Sequence, residues 1–231
     1  RIQHGLGLAT KGFKIIFANI RSKINAKRTA TPHFRYDMFE PSLEQVKKQF
    51  LRVRKAAAEI GEDGIQMYLG CELHSSMDMT DCLKKGERLT MSGSRYVLTE
   101  FRTSDEKSYI RERVQALIRK GYYPIIAHVE RYHSVVKNGL DFIDELRDMG
   151  AYIQMNADSI IGEDGFMIKR FCKKVIKEEM LDFVGSDGHD LARRTPHIGK
   201  CYDKIEKMMG TDYADMIFIS NPECIINNER F

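Results

Sequence analysis

Apolar positions along the chain fall into two rhythms, and their alternation predicts strand and helix in turn. From Ser42 to about Ile60, Val46, Phe50, Val53 and Ala57 recur at helical spacing. Ser42 with Gln45 three residues later has the form of a capping box, and Gly61 closes the helix. Gln66–Glu72 reads as a strand ending in an acid, and Arg88–Met91 and Tyr96–Phe101 read as further short strands. Helical spacing returns at Glu106–Lys120 and stops at Gly121. A strand over Tyr123–His128 then leads to Glu130 and Arg131. Val135–Met149 reads as a helix with Leu140, Ile143 and Leu146 inward, and Ala151–Asn156 as a strand. Phe166–Met180 reads as a helix with Met167, Phe171, Val175 and Ile176 as core positions. Asp182–Ser186 is a strand, Gly199–Met209 a helix, and Asn221–Ile226 opens a short helix. No repeat or Pro/Gly/Ser-rich linker interrupts the series, which predicts a single α/β domain with a parallel sheet, open or closed into a barrel.

Composition narrows the class without changing this picture. A chain of 231 residues, 42% apolar and 30% charged, is an ordinary soluble-protein composition. No run of about 18 apolar residues predicts a transmembrane helix. Cys71, Cys82, Cys172, Cys201 and Cys224 are scattered and odd in number, which argues against a disulfide framework or zinc ribbon and for a reducing cytoplasm. A net charge of +4 concentrates no basic face in the body of the chain, so nucleic acid is not an expected partner. The exception is the first thirty residues, which hold Arg1, Lys11, Lys14, Arg21, Lys23, Lys27 and Arg28 and no acid. Such a leader fits a transit-like or membrane-surface segment, a loose arm, or sequence foreign to the domain. Its apolar patch, Phe13 to Ile20, does not decide between strand and helix.

The chemistry follows from placement. Glu72, Glu100, His128 and Asp187 each fall at the predicted C-terminal end of a different strand, with His33 and His189 in comparable loops. In a parallel sheet those ends share one face, so the residues converge where ligands collect. Singly, each is an ordinary strand-end cap or loop histidine, and Asp187-Gly-His189 is also a respectable turn. Together they predict a site for divalent cations. Mixed imidazole and carboxylate donors without cysteine suit manganese, iron or zinc. Two or three ions fit, with Glu72 bridging a pair roughly 3.5–4 Å apart. Arg131 and Arg194 frame the cluster, and guanidinium groups suit tetrahedral oxyanions unless each pairs with a surface carboxylate. Metal with arginine points to phosphoester hydrolysis, a metal-bound hydroxide attacking phosphorus while the arginines hold the phosphate. His197 is placed either to protonate a leaving group or to support Arg194. His74 and His133 read as exposed loop residues, and His4 has no role.

Several stretches resemble a known family: Ala30-Thr-Pro-His-Phe34, Gly70-Cys-Glu-Leu73, Arg95-Tyr-Val-Leu-Thr-Glu-Phe101, Ile126-Ala-His-Val-Glu-Arg-Tyr132, Gly185-Ser-Asp-Gly-His-Asp190 and Arg193-Arg-Thr-Pro-His197. They are similar in order and spacing to the bacterial tyrosine phosphatases of capsular and exopolysaccharide clusters, within the polymerase-and-histidinol-phosphatase superfamily. The resemblance runs from about Ala30 to the C-terminus. It implies a distorted parallel β/α barrel, TIM-like in plan, with manganese-type metals, and removal of phosphate from the tyrosine-rich tail of a bacterial tyrosine kinase in the cytoplasm. His33, Glu72, Glu100, His128, Asp187 and His189 would then be metal ligands, and Arg131 and Arg194 would hold the phosphate. The family opens on a strand bearing Asp-x-His-x-His, then a loop Asp, whereas residues 1–29 hold no Asp and only His4. The expectation is therefore a domain over 30–231 behind an atypical basic segment, 1–29, with the first strand–helix unit lacking and some metal ligands lost. Left open are another phosphoesterase of the superfamily, histidinol-phosphatase-like or nuclease-like, and a binding barrel with impaired turnover. No stable membrane insertion is expected, and self-association into a homo-oligomer stays open.

Overall fold

The computed structural model describes residues 15–17, 26–60, 64–188 and 197–231, with side chains from Lys27 onward. Two sheets form one curled ribbon. The first holds β1 (Ile15–Phe17), β2 (Ala26–Ala30) and, after β3 (His33–Phe34), β4 (Ile65–Leu69), in the order β1-β2-β4. The second runs from β3 through β5 (Glu72–His74), β6 (Tyr96–Glu100), β7 (Tyr123–Ile126) and β8 (Tyr152–Asn156) to β9 (Phe183–Gly185). Every pairing between these strands is parallel except β1 with β2. The backbone N–H of Gly70 donates to Ala30 and that of Glu72 to Pro32, at 2.8 and 3.0 Å, so the two sheets join without a gap. β1 also comes close to β9, which curls the ribbon toward a barrel.

Helices clothe the outer face. The first, α1 (Leu43–Ala58), starts as expected: Ser42 Oγ accepts from the N–H of Gln45, and the Gln45 side chain accepts from the N–H of Ser42. Its buried stripe is Val46, Phe50 and Ala57, of which Phe50 and Ala57 lie against Ala30 and Met67. Then come α2 (Met79–Lys84), α3 (Lys107–Arg119), α4 (His133–Asn138), α5 (Leu140–Asp148), α6 (Ala157–Ile161), α7 (Phe166–Lys177), α8 (Ile198–Met209), α9 (Thr211–Asp215) and α10 (Asn221–Asn227). Ile110, Val114, Phe142, Ile143, Leu146, Val175 and Ile176 from α3, α5 and α7 join Ile126, Ile153 and Val184 in the main core. Each such side chain stabilises the fold by about 1.5–3 kcal/mol relative to exposure.

Inside the curl sits an aromatic plug. Tyr96, Tyr152 and Phe183 pack tilted or edge-to-face, 5.4–6.4 Å apart between centroids, with Phe231 4.8 Å from Tyr152. Strand alternation then decides what lies above it. Glu100 shares a face with Tyr96 and Leu98, and Gln154 and Asn156 share one with Tyr152. Glu72 pairs in register with Leu98 and takes the same face. Packed aromatics thus form the floor of a polar mouth.

Four expectations need correction. The Gln66–Glu72 strand is broken at Gly70-Cys71, so Glu72 opens β5 rather than ending a strand. Arg88–Met91 is not a strand but a turn leading into a short 3-10 segment at Met91–Gly93. The single helix expected over Val135–Met149 splits into α4 and α5 at Gly139, whose φ of 66° and ψ of −144° no helix accommodates. Met167 is 71% exposed, because α7 turns its first residues to solvent. Gly61, His4, His189 and Arg194 lie outside the described residues, as does most of the 1–29 leader.

Candidate metal centre

His33 and Glu72 face each other across β3 and β5, in register, and Glu100 ends the adjacent β6. His128 follows β7 by two residues in a left-handed conformation, φ 36° and ψ 54°, which turns it out of the strand direction. These side chains converge. His128 Nε2 lies 3.0 Å from Glu72 Oε1 and 3.4 Å from Glu100 Oε2. His33 Nδ1 lies 3.2 Å from Glu100 Oε1 and 3.7 Å from Glu72 Oε2. Donor atoms of His33, Glu72 and Glu100 all lie within 4.8 Å of one another. Burial opposes ionisation of Glu100, but hydrogen bonds from the His128 and His33 rings, and their charge, hold its carboxyl well below the usual range. Glu72 is 2% exposed. Two carboxylates driven together in a buried mouth, between two imidazoles, need positive charge to be stable. A divalent cation fits that need, and the oxygen–nitrogen donor set suits a transition metal.

Asp187 occupies a second position, just past β9, also left-handed at φ 47°. Arg131 Nη1 lies 2.8 Å from Asp187 Oδ2, and Asn156 Nδ2 donates to the same oxygen at 3.2 Å. Arg131 therefore meets a buried carboxylate of the mouth, not the surface carboxylate considered as its bland partner. Burial works against the Arg131 charge, but Asp187, Glu130 and Asp164 raise its pKa overall. His197 stands at the start of α8, its Nδ1 2.8 Å from Asp158 Oδ1 on α6. Among the bland histidines, His133 is exposed but opens α4, whereas His74 belongs to β5 and is partly buried, its pKa lowered chiefly by burial.

Gln154, Asn156 and Glu130 had no assigned role from sequence. Gln154 Oε1 accepts the His128 backbone N–H at 2.9 Å, and Gln154 Nε2 donates to Asn156 Oδ1 at 3.1 Å. Asn156 passes the chain on to Asp187. Glu130, fully buried, accepts the Asn156 N–H at 3.0 Å, and burial pushes its pKa up. One polar strand face thus ties the His128 turn to Asp187. The available signal was a glutamine and an asparagine two apart in an otherwise apolar strand.

A family model described as "Capsular polysaccharide synthesis, CpsB/CapC" matches residues 8–227. The chain belongs to the CpsB/CapC family. Tyrosine-protein phosphatase CpsB of Streptococcus pneumoniae is 33% identical over 205 residues, covering 87% of this chain and 84% of that protein. Tyrosine-protein phosphatase YwqE of Bacillus subtilis is 26% identical over 231 residues, covering 97% of this chain and 87% of that protein. A crystal structure from work on B. subtilis YwqE and S. pneumoniae CpsB, described as metal-dependent tyrosine phosphatases, superposes with a TM-score of 0.78 at 24% identity. It covers 87% of this chain and 80% of the other, and identifies the CpsB/CapC fold with the curled parallel sheet seen here.

Proposed function

We propose that this protein hydrolyses phosphotyrosine on proteins, its substrate being the tyrosine-rich tail of a bacterial tyrosine kinase that controls capsule or exopolysaccharide synthesis. The observation that carries this reading is the convergence of His33, Glu72, Glu100 and His128 beside the Arg131–Asp187 pair, in a CpsB/CapC chain. His33, Glu72, Glu100, His128, Asp187 and His189 hold manganese or a similar divalent metal. Such an ion would supply Lewis acidity and would bring the pKa of a water molecule down toward neutrality. Arg131 and Arg194 orient the phosphate and oppose the charge that develops on it. His197, steadied by Asp158, protonates the phenolate as it leaves. The aromatic plug closes the inner end of the mouth, which keeps the charged groups in a low-dielectric surrounding. Five free cysteines support a cytoplasmic location, and among the described residues no helix is long and apolar enough to cross a membrane.

A second reading, favoured by the acid-free composition of residues 1–29, treats that stretch as an atypical basic segment ahead of a domain at 30–231, with metal binding and turnover impaired. One experiment decides. The protein is stripped with chelator, reloaded with manganese, assayed for bound metal, and offered phosphotyrosine peptide, histidinol phosphate and single-stranded DNA. Manganese-dependent turnover of the peptide is expected. Preference for either other substrate refutes the tyrosine reading, and fewer than two metals without turnover establishes the impaired barrel.

A further inference from the structure

A cavity of about 480 Å³ lies on the outer side of the sheet, between α1, β4 and the 83–93 loop. It lies across the sheet from the mouth: Leu83 of its floor packs with Phe34 and Leu73, the chain neighbours of the inward-facing His33 and Glu72. Its floor is apolar, from Phe50, Met67 and Leu83, and its rim carries Arg54 and Arg88 with no acid in the lining. Arg88 lies flat on Phe34, its guanidinium carbon 3.3 Å from the ring centroid. Arg88 Nε and Ser92 Oγ are buried yet have no hydrogen-bond partner among the described residues. Buried donors of this kind are costly unless something accepts from them.

An apolar floor, two guanidinium groups and orphaned donors fit a flat apolar body with an anionic head. The open cleft has the volume for one side chain rather than a bilayer surface, and a bare phosphate would leave the floor uncovered. We propose that this cavity is a second phosphotyrosyl-binding site, which seats one phosphorylated tyrosine of the substrate protein while the mouth works on another. The inference rests on the phosphotyrosine reading above. A tail with several tyrosines would gain residence time from the second contact through a raised effective concentration.

Isothermal titration of the full metal-loaded chain, with a peptide bearing non-hydrolysable phosphonomethyl-phenylalanine, tests it. The parent should bind two peptides per chain and Arg54→Glu one. Arg54 is exposed, so the fold should tolerate the change. Arg88→Lys keeps the charge but loses the fork, and should weaken the second event about tenfold, as expected for a charged hydrogen bond. Turnover of p-nitrophenyl phosphate should be unchanged in both variants, while KM for a doubly phosphorylated peptide rises. A single binding event in the parent that Arg54→Glu leaves unchanged, or two events surviving Arg54→Glu, overturns the proposal. So does inorganic phosphate competing as strongly as the peptide at the second event, which would make the cavity a plain anion site. Failure of the parent to hydrolyse phosphotyrosine peptide would sink the phosphatase reading alone, because the titration counts the cavity independently.

Discussion

Gly185 gives the sharpest test of how the mouth is held. A Cβ added there would sit 2.3 Å from Gln154 Nε2 and 3.2 Å from Gln154 Cδ. The end of a free glutamine would swing away at little cost, but this one is held at both polar atoms. Its Oε1 accepts from His128, and its Nε2 donates to Asn156 Oδ1 and to the Met155 carbonyl at 3.0 Å. Gly185→Ala must break these contacts or shift β9. Leaving buried groups unsatisfied costs about 1–3 kcal/mol each, partly offset by relaxation, so a net loss of about 2–4 kcal/mol is expected. For a chain of this size that lowers Tm by roughly 5–15 °C. Release of the His128 turn should also weaken manganese affinity by about 10–100-fold, the usual effect of losing a group that orients a ligand. Thermal melts and equilibrium dialysis measure the two effects. The double variant Gly185→Ala, Gln154→Ala removes the collision, so the two substitutions together should cost at least about 1 kcal/mol less than their sum. A Tm within about 2 °C of the parent, with unchanged manganese affinity, would refute the reasoning.

Other outcomes follow from the same geometry. Glu72→Gln keeps the shape of the side chain but removes its charge, and should reduce bound manganese and kcat/KM by more than about 100-fold, read by elemental analysis and peptide turnover. Arg131→Ala should raise KM for aryl phosphates by about 10–100-fold, and Arg131→Lys should recover only part, because the forked geometry is lost. Arg111 and Lys107 hold the Glu145 carboxyl down to about 2 from 4.5. Its folded pKa lies below the unfolded one, so its contribution is present above about pH 4.5 and disappears as pH falls toward 2. The pair is largely solvated, so Glu145→Gln should cost less than about 1 kcal/mol at neutral pH and nothing below pH 2, as urea melts at the two pH values would show.

The capped helix α1 and the strand ends bearing Glu100 and His128 were legible because local chemistry and burial agree there. Ser42 and Gln45 satisfy each other whatever the rest of the fold does. Glu100 shares alternation with Tyr96 and Leu98, a pattern visible in one dimension. Interruptions were less legible. Gly70 reads as the continuation of a strand until the close approach of Met91 is known, whose sulfur would lie 2.7 Å from a Cβ there. Gly139 looks like a tolerated helical glycine until its backbone is seen. Arg88 to Met91 has strand-like composition, but Arg88 is drawn onto the Phe34 ring and the chain turns. The Gln154–Asn156 link could not be read at all, since its partners lie 26 and 31 residues away.

The left-handed backbones of His128 and Asp187 bear on how the mouth is built. Neither is glycine, and such conformations cost about 1–3 kcal/mol when surrounding structure must enforce them. Strands β7 and β9 end at the mouth, and side chains continuing in strand geometry would alternate inward and outward along the rim. A left-handed residue two positions past the strand turns the chain and aims its functional group across the opening instead. Both turns are held from the same element. Gln154 accepts the N–H of His128, and Asn156 donates to the carboxylate of Asp187. Tyr132, fully buried, clamps the same corner by donating to the Ala127 carbonyl at 2.8 Å and accepting the Phe101 N–H at 3.1 Å. The hydrogen bonds of β8 and Tyr132 therefore fix the backbone, while the aromatic plug beneath fixes the strand positions. His128 and Asp187 reach their places through the protein's own contacts, and a metal bound there would find a geometry it does not have to create.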